Sequence, residues 1–207
     1  MGKAVTMPNK MTVETFLDFC RDHSVSPMVR LLMTTDGMVV RALEGLFLET
    51  VQLILIHQRE GVIEEATSRW LGIPQGEKGI TRSVWLTLKQ DDSGTDQKIL
   101  MAESILPLSG LPPHLYQEVQ QEIQMGIKPL GLILHQFQIP LYRDQFEISH
   151  GPSPEVAKAL NLPNGTPFWT RRYRLTLPSG APWAITEILT PFVHAPWPND
   201  TCSSLPH

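Results

Sequence analysis

Two pairs of alternating apolar segments constrain what this chain can fold into more than any other feature. Residues 80–88 and 98–106 flank a cluster of Asp, Ser and Gly, and residues 168–177 and 182–190 flank a Pro-Ser-Gly turn. Alternation with a period of two, interrupted by a short turn, is typical of a β-hairpin. Because hairpin strands run antiparallel, the chain is predicted to build an antiparallel sheet.

Helical patterns occupy the N-terminal part of the chain and the connections between the hairpins. In residues 12–24, Val13, Phe16 and Cys20 share one helical face after a Thr12 N-cap. The remaining predicted elements are helices at 27–36, 41–47 and 112–125, a strand at 50–57, a turn or helix at 132–137, an extended piece at 146–149 and a helical turn at 154–160.

The order of these elements, with helices first and hairpins afterwards, favours an α+β fold with a single antiparallel sheet and helices on one face. Residues 61–78 and 138–153 are interpreted as irregular loops. At roughly 150 residues per domain, a chain of 207 residues corresponds to one domain over residues 1–207. Its core is expected at about 12–191, before a polar, proline-containing tail at 192–207 that frays.

Composition excludes several classes of protein. The net charge of −4 and the pI of about 6.0 argue against a general nucleic-acid binder, which needs a basic surface. Apolar runs such as 51–56 are far shorter than the ~18 residues of a membrane span, so no membrane anchor is expected. The two cysteines, Cys20 and Cys202, form no CxxC motif, and a reducing, cytoplasmic location is expected.

Short motifs for nucleotide, phosphate or nucleophile chemistry are absent from the sequence. It contains no GxGxxG, no P-loop and no GxSxG. None of the seven histidines lies in an HExxH pattern, so no metal site is predicted.

One carboxylate lies on an otherwise apolar strand face. Glu187 is flanked on that face by Ile185 and Leu189, and a carboxylate there is costly unless it is paired or hydrogen-bonded. Two interpretations are open. Glu187 either forms a cross-strand ion pair with Arg171 or Arg172, or faces a ligand in an apolar pocket.

Arg82 repeats this pattern on another strand, where it shares a face with Ile80 and Val84. A buried arginine requires a carboxylate, which is either Glu187 or a bound acid. An inward-facing arginine and an inward-facing glutamate in one small sheet indicate a site for a small polar anion.

Several segments match, in order, the motifs of one known family. The matching residues are Arg82, Leu106-Pro107, the turn Lys128-Pro129-Leu130-Gly131, Trp169, Arg171, Arg172, Arg174, Leu175, Thr186-Glu187 and Pro191, with a weaker match at 36–44. Over about residues 36–191 the chain resembles chorismate pyruvate-lyase (4-hydroxybenzoate synthase), in the form of its cyanobacterial branch.

The resemblance implies a six-stranded antiparallel sheet with helices on one side. It implies a lyase that converts chorismate into 4-hydroxybenzoate and pyruvate without metal or cofactor, for a plastoquinone- or ubiquinone-type quinone. By resemblance, Arg82 and the backbone of Leu130 hold the ring carboxylate, and Glu187 contacts the hydroxyl group across the ring. Met38 and Val39 are the further ligand-contacting positions, and Arg82 and Glu187 are the catalytic ones.

Two positions depart from the family pattern. Where better-known members carry a second arginine on the strand before the Leu-Pro pair, this chain has Glu103. His57 and Arg59 are candidates to take its place beside the enolpyruvyl group, although for His57 a solvated position at the end of its strand is the favoured interpretation. The family's Met-Thr pair corresponds to Val39-Val40, or to Met38-Val39 if the register slips.

A rival resemblance involves the effector-binding (UTRA) domain of GntR-type transcription regulators, which shares the lyase fold and binds a small metabolite without chemistry. Its C-terminal pattern is matched by Ala157 to Leu160, the turn Gly165 to Pro167, Arg172 and Pro191. Against it, the first 80 residues show no convincing winged helix-turn-helix and the net charge is acidic. A third interpretation is an inactive relative that only binds. The favoured prediction is a monomeric lyase whose partners are chorismate and 4-hydroxybenzoate.

Overall fold

The structure is a computed structural model that describes residues 10–89, 96–110, 116–126, 128–178 and 180–194. Three expectations lie outside these residues: the turn at 91–94, the start of the helix at 112–115, and the tail from residue 195 onward with Cys202.

A six-stranded sheet with the order β1-β2-β3-β6-β5-β4 forms the centre of the molecule, and every pair of neighbouring strands is antiparallel. Its strands are β1 Gln52–Val62, β2 Lys78–Leu88, β3 Gln97–Pro107, β4 Tyr142–Pro152, β5 Pro167–Thr176 and β6 Trp183–Leu189. Both expected hairpins, β2–β3 and β5–β6, are confirmed, and β3 pairs with β6 to join them.

Seven α-helices are formed by the described residues. They are α1 Val13–Asp22, α2 Pro27–Thr34, α3 Val39–Phe47, α4 Glu65–Leu71, α5 Tyr116–Met125, α6 Leu130–Gln136 and α7 Pro154–Ala159, besides short 3-10 turns at Leu108–Gly110 and Pro191–His194. Thr12 caps α1 as expected, because its side chain accepts from the Thr15 N–H and Thr15 returns the contact in a capping box. Pro27 opens α2 behind the Ser26 cap.

Two apolar clusters lie side by side on one face of the sheet. Helices α1, α2 and α3 cover the first cluster, which includes Phe16, Leu32 and Leu86. Helices α5 and α6 cover the second, which includes Ile133 and Trp183. The single antiparallel sheet with helices is therefore confirmed, with five of the helices packed on this face, and a gap remains between the two clusters.

Two short helices cover part of the opposite face of the sheet. Helix α7 confirms the helical turn predicted at 154–160, whereas α4 lies in a segment predicted as a loop. Val156 of α7 packs with Trp85 and Phe168 in a third, smaller cluster. Trp70 of α4 stacks under the guanidinium of Arg172 at 3.9 Å. These short elements extend the expected arrangement without changing the sheet.

The segments interpreted as loops contain regular structure. Strand β4 runs through most of residues 138–153, and α4 lies within 61–78. The alternation of β4 is broken by a register shift between Asp144 and Glu147, where Gln145 has a φ of 51°, so its period could not be recognised. Ser153 precedes α7 without a side-chain capping bond.

Among the described residues, no helix is long and apolar enough to cross a membrane.

Candidate functional site

A cavity of about 70 Å³, open to solvent at its mouth, occupies the gap between the two apolar clusters. Its floor is the sheet, and its walls are the start of α3 and the start of α6. The polar or charged side chains that line it belong to Arg82, Ser104, Arg143, Tyr173 and Glu187, while the other lining residues include Met38, Val39, Val40, Val84, Ala102, Leu130, Gly131 and Ile185. A concave, mostly apolar space with a few converging polar groups is typical of a small-molecule site.

Arg82 lies in the floor of this cavity and is only 1% exposed. Its Nη2 donates to the carbonyl oxygen of Lys128 at 2.9 Å, which links it to the turn before α6. Its Nε has no hydrogen-bond partner, and no carboxylate of the described residues forms a salt bridge with it. Burial lowers the pKa of Arg82 to about 10, because the charged form has lost its hydration.

Glu187 lies opposite Arg171 in the β5–β6 register, and the two form a buried ion pair through Arg171 Nε and Glu187 Oε2. Arg171 Nη1 also donates to the carbonyl oxygens of Leu32 at 2.6 Å and Thr35 at 2.9 Å, at the end of α2. Burial opposes the charged form of Arg171, but the Glu187 charge raises its pKa overall. The predicted cross-strand ion pair is thus confirmed, with Arg171 as the partner.

The second interpretation of Glu187 concerned a ligand-facing carboxylate, and Glu187 does line the cavity. Its Oε1 lies 3.4 Å from the hydroxyl group of Tyr173 on the neighbouring strand. Burial, followed by the charge of Glu187, raises the pKa of Tyr173, so this hydroxyl keeps its proton and can donate. The carboxylate therefore faces the cavity while Arg171 holds it from the side.

The predicted binding positions Leu130, Met38 and Val39 line two facing walls of the same cavity. Leu130 opens α6, whose first N–H groups have no acceptor within the helix. A Cβ atom placed on Gly131 would lie 3.3 Å from Met38 Cγ, so glycine lets α3 and α6 approach closely here.

Three other candidate residues do not reach the cavity. Glu103 pairs with Ser83 in the β2–β3 register, so its side chain lies on the opposite face of the sheet from Arg82. His57 and Arg59 pair with Ser83 and Thr81, on that same opposite face, and both are exposed. The interpretation that His57 or Arg59 contacts a group bound beside Arg82 is therefore wrong for this structure.

The three arginines of β5 have different roles. Arg171 faces the cavity side and holds Glu187, whereas Arg172 stacks on Trp70 on the opposite face. Arg174 forms two hydrogen bonds of 2.7 Å with the carboxylate of Asp144. Both Arg172 and Arg174 are thus structural.

Arg143 is the functional candidate that the sequence analysis missed. It lies on β4 opposite Leu175, is half-buried, and lines the cavity. Its Nη1 donates to the Asp36 carbonyl oxygen at 2.5 Å, and its Nε is buried without a partner. The sequence offered only an arginine in a segment without the alternation of a strand, so its position beside the cavity could not be predicted.

No group of three or more His, Cys, Asp or Glu side chains in the described part of the chain could hold a metal ion. The chemistry available in the cavity is that of guanidinium groups, one held carboxylate and two hydroxyl groups.

The fold and the cavity define a class of protein: a single-sheet α+β domain with an arginine-lined cavity between sheet and helices. A family model described as chorismate pyruvate-lyase, Rv2949c-like, matches residues 33–195. The chain belongs to this family, which confirms the resemblance to chorismate pyruvate-lyase seen in its motifs, while its place in the cyanobacterial branch stays a prediction.

Two solved structures show the same fold. The effector domain of PhnF from Mycobacterium smegmatis matches with a TM-score of 0.52 at 14% identity, covering 76% of this chain and 88% of that one. A ligand-binding domain of a GntR-family regulator from Bordetella bronchiseptica matches with 0.52 at 17% identity, covering 68% and 85%. At these identities the likeness concerns the fold. Among curated proteins, none matches this chain at a significant level.

Proposed function

We propose that this protein converts chorismate into 4-hydroxybenzoate and pyruvate. The observation that carries the proposal is Arg82, a guanidinium buried in the floor of an apolar cavity without a carboxylate partner among the described residues. A buried, unpaired charge is unfavourable unless a ligand neutralises it, and a planar ring acid offers the matching carboxylate. Membership of the lyase family supports chorismate as this anion.

The reaction is an elimination within one molecule. The C4–H electrons form a ring double bond, the C3–O bond breaks to give the pyruvate carbonyl, and the C4 hydrogen moves to the enolpyruvyl methylene carbon. The two products together contain all the atoms of chorismate and no others, so no second reactant is needed. The site therefore mainly has to orient the enolpyruvyl group over the ring. Arg82 and the Leu130 backbone hold the ring carboxylate, and Glu187 with Tyr173 holds the hydroxyl group across the ring.

The wider setting follows from the same proposal. We place the whole chain, residues 1–207, in one cytoplasmic, monomeric lyase that works without metal or cofactor. Its product supplies the aromatic ring of a plastoquinone- or ubiquinone-type quinone.

A second function is favoured by one observation. Glu187 is already neutralised by Arg171, so this carboxylate is not free to act as a general base. The cavity can nevertheless bind an aromatic acid. In that case the domain binds a small metabolite as a sensor or as an inactive relative, in keeping with the fold it shares with GntR-type effector domains.

A product assay separates the two functions. Purified protein is mixed with chorismate, and 4-hydroxybenzoate and pyruvate are quantified against a blank without protein. Equal amounts of both products, lost in Arg82→Gln and retained in the matched control Arg59→Gln, support the lyase. If there is no turnover but 4-hydroxybenzoate still raises the Tm, the binding function is supported. If the protein shows neither turnover nor a Tm shift, both functions are contradicted.

A further inference from the structure

We propose that Arg143 is the second anion-binding residue of the cavity, so that the site recognises a dicarboxylate rather than a single carboxylate. The inference deepens the proposed function, on which it rests for the identity of the substrate. It assigns the carboxylate of the enolpyruvyl group to Arg143, a residue on β4 that replaces the role expected of His57 or Arg59.

The surroundings of Arg143 are those of a held but uncompensated cation. The Asp36 carbonyl oxygen accepts from its Nη1, which fixes the side chain between β4 and the α2–α3 connection. The guanidinium carbon lies 5.8 Å from the centre of the Tyr173 ring. The buried Nε has no partner, and no salt bridge to Arg143 is formed within the described part of the chain.

The charge of the cavity matches a doubly negative ligand. Arg171 neutralises Glu187, which leaves Arg82 and Arg143 as uncompensated cations among the described lining residues. One carboxylate would neutralise only one of them. A ligand with two carboxylates removes both desolvation costs, which is how charge complementarity selects between ligands.

The two cations lie at different depths, which suits a molecule with two distinct ends. Arg82 is 1% exposed in the floor, whereas Arg143 is half-buried and borders the α2–α3 connection. A ring carboxylate on Arg82 therefore leaves Arg143 for a carboxylate on a side arm of the ring. Holding that arm fixes its orientation over the ring, which the elimination requires.

The test uses two stable probes that differ by one carboxylate. 3-Methoxybenzoate carries only the ring carboxylate, and 3-(carboxymethoxy)benzoate adds a second one on an ether arm. Affinities are measured by calorimetry at low and at high salt. The wild-type protein is expected to prefer the dicarboxylate at least tenfold at low salt, and a wild-type protein without this preference overturns the inference.

Variants identify the residue. Arg143→Gln should abolish the preference while changing the affinity for 3-methoxybenzoate less than threefold, and Arg143→Lys should restore part of the preference. Arg82→Gln should weaken both probes, and Arg59→Gln should change neither. Equal weakening of both probes in Arg143→Gln, or an unchanged preference in that variant, overturns the assignment.

The binding experiment is independent of turnover, so the two proposals can fail separately. A dicarboxylate preference that depends on Arg143, without production of pyruvate, contradicts the lyase and keeps the inference. Turnover of chorismate combined with a dicarboxylate preference that does not depend on Arg143 supports the lyase and contradicts the inference about Arg143. If Arg143→Gln does not fold, the wild-type preference and the Arg143→Lys variant decide the question.

Discussion

Arg171 ties Glu187 to the end of α2, since one guanidinium binds that carboxylate and the carbonyl oxygens of Leu32 and Thr35. The cavity carboxylate and the end of α2, which precedes the α3 wall of the cavity, are therefore held by a single side chain. Both members of the pair are nearly inaccessible to solvent. Any change at Glu187 consequently acts on the fold as well as on the ligand.

Glu187→Ala is expected to destabilise the protein by about 3–5 kcal/mol, because it leaves the Arg171 charge buried and unpaired. Glu187→Gln should cost less, since the amide oxygen can still accept from Arg171. The measurement is the free energy of unfolding in urea.

Glu103→Ala is the matched control, because Glu103 lies on the adjacent strand but on the opposite face, with only a 3.4 Å contact to Ser83. It should change stability by no more than about 0.5–1 kcal/mol. If Glu187→Ala is as stable as this control, the ion pair does not have the role assigned to it. Activity should accordingly be compared in Glu187→Gln rather than in Glu187→Ala.

Arg82→Met is expected to lose anion binding without loss of stability. The pKa of Arg82 in the folded protein, about 10, lies well below that of a free arginine. Below about pH 10 the group is therefore charged in both the folded and the unfolded state, and keeping it charged in the folded state costs folding free energy, a cost that fades as the pH rises above about 10. Removing the charge removes that cost. The Tm should stay the same or rise, while benzoate affinity falls by about 1.5–3 kcal/mol, the value of a charge-assisted hydrogen bond.

Thermal unfolding and calorimetry on the same samples check both halves of this expectation. Arg59→Met, an exposed arginine on the opposite face, should alter neither quantity. A Tm drop of more than about 4 °C in Arg82→Met, which for a chain of this size corresponds to 1–2 kcal/mol, would make Arg82 a structural residue.

The sequence predicted the centre of the sheet and the deepest part of the site. Apolar residues occupy every second position beside Arg82 in β2 and beside Glu187 in β6, so parity in the sequence placed both side chains on the apolar face. The short turn before β6 set the register that brings Arg171 opposite Glu187. Local alternation predicts the face of a side chain, and turn length predicts its cross-strand partner, wherever a strand is central and has no bulge.

Long-range and irregular features could not be predicted in the same way. Arg143 lies on an edge strand whose bulge at Gln145 hides its period. His57 and Arg59 were assigned wrongly because the sequence does not show which face of the sheet their side chains occupy relative to Arg82. Only the pairing of β1 with β2 determines that face. The sequence shows which residues of one strand share a face. Whether the residues of two strands lie on the same face of the sheet depends on how the strands pair in the tertiary structure.

Gly79→Ala is expected to destabilise the sheet by about 1–3 kcal/mol through overpacking. A Cβ atom there would lie 2.8 Å from the Leu106 carbonyl oxygen and 2.7 Å from Ile63 Cδ1, and the carbonyl belongs to a paired strand that cannot move aside. Gly61 is the matched control, because it pairs with Gly79 in the register and has open space around its Cβ position. Gly61→Ala should be neutral or slightly stabilising in the same urea titration, and equal losses in both variants would contradict the clash.

Benzoate affinity should be constant from pH 7 to 9 and then fall as the pH rises through 10, by up to tenfold per pH unit. The free protein loses the Arg82 proton near its pKa of about 10, and only the charged guanidinium binds the anion strongly. The neighbouring groups do not produce this step, because the pKa values of Arg171 and Tyr173 are raised. Calorimetry across this range, with circular dichroism to confirm the fold, should show the step in the wild type and a weak, flat profile in Arg82→Gln. A step that persists in Arg82→Gln would assign the titration to another group.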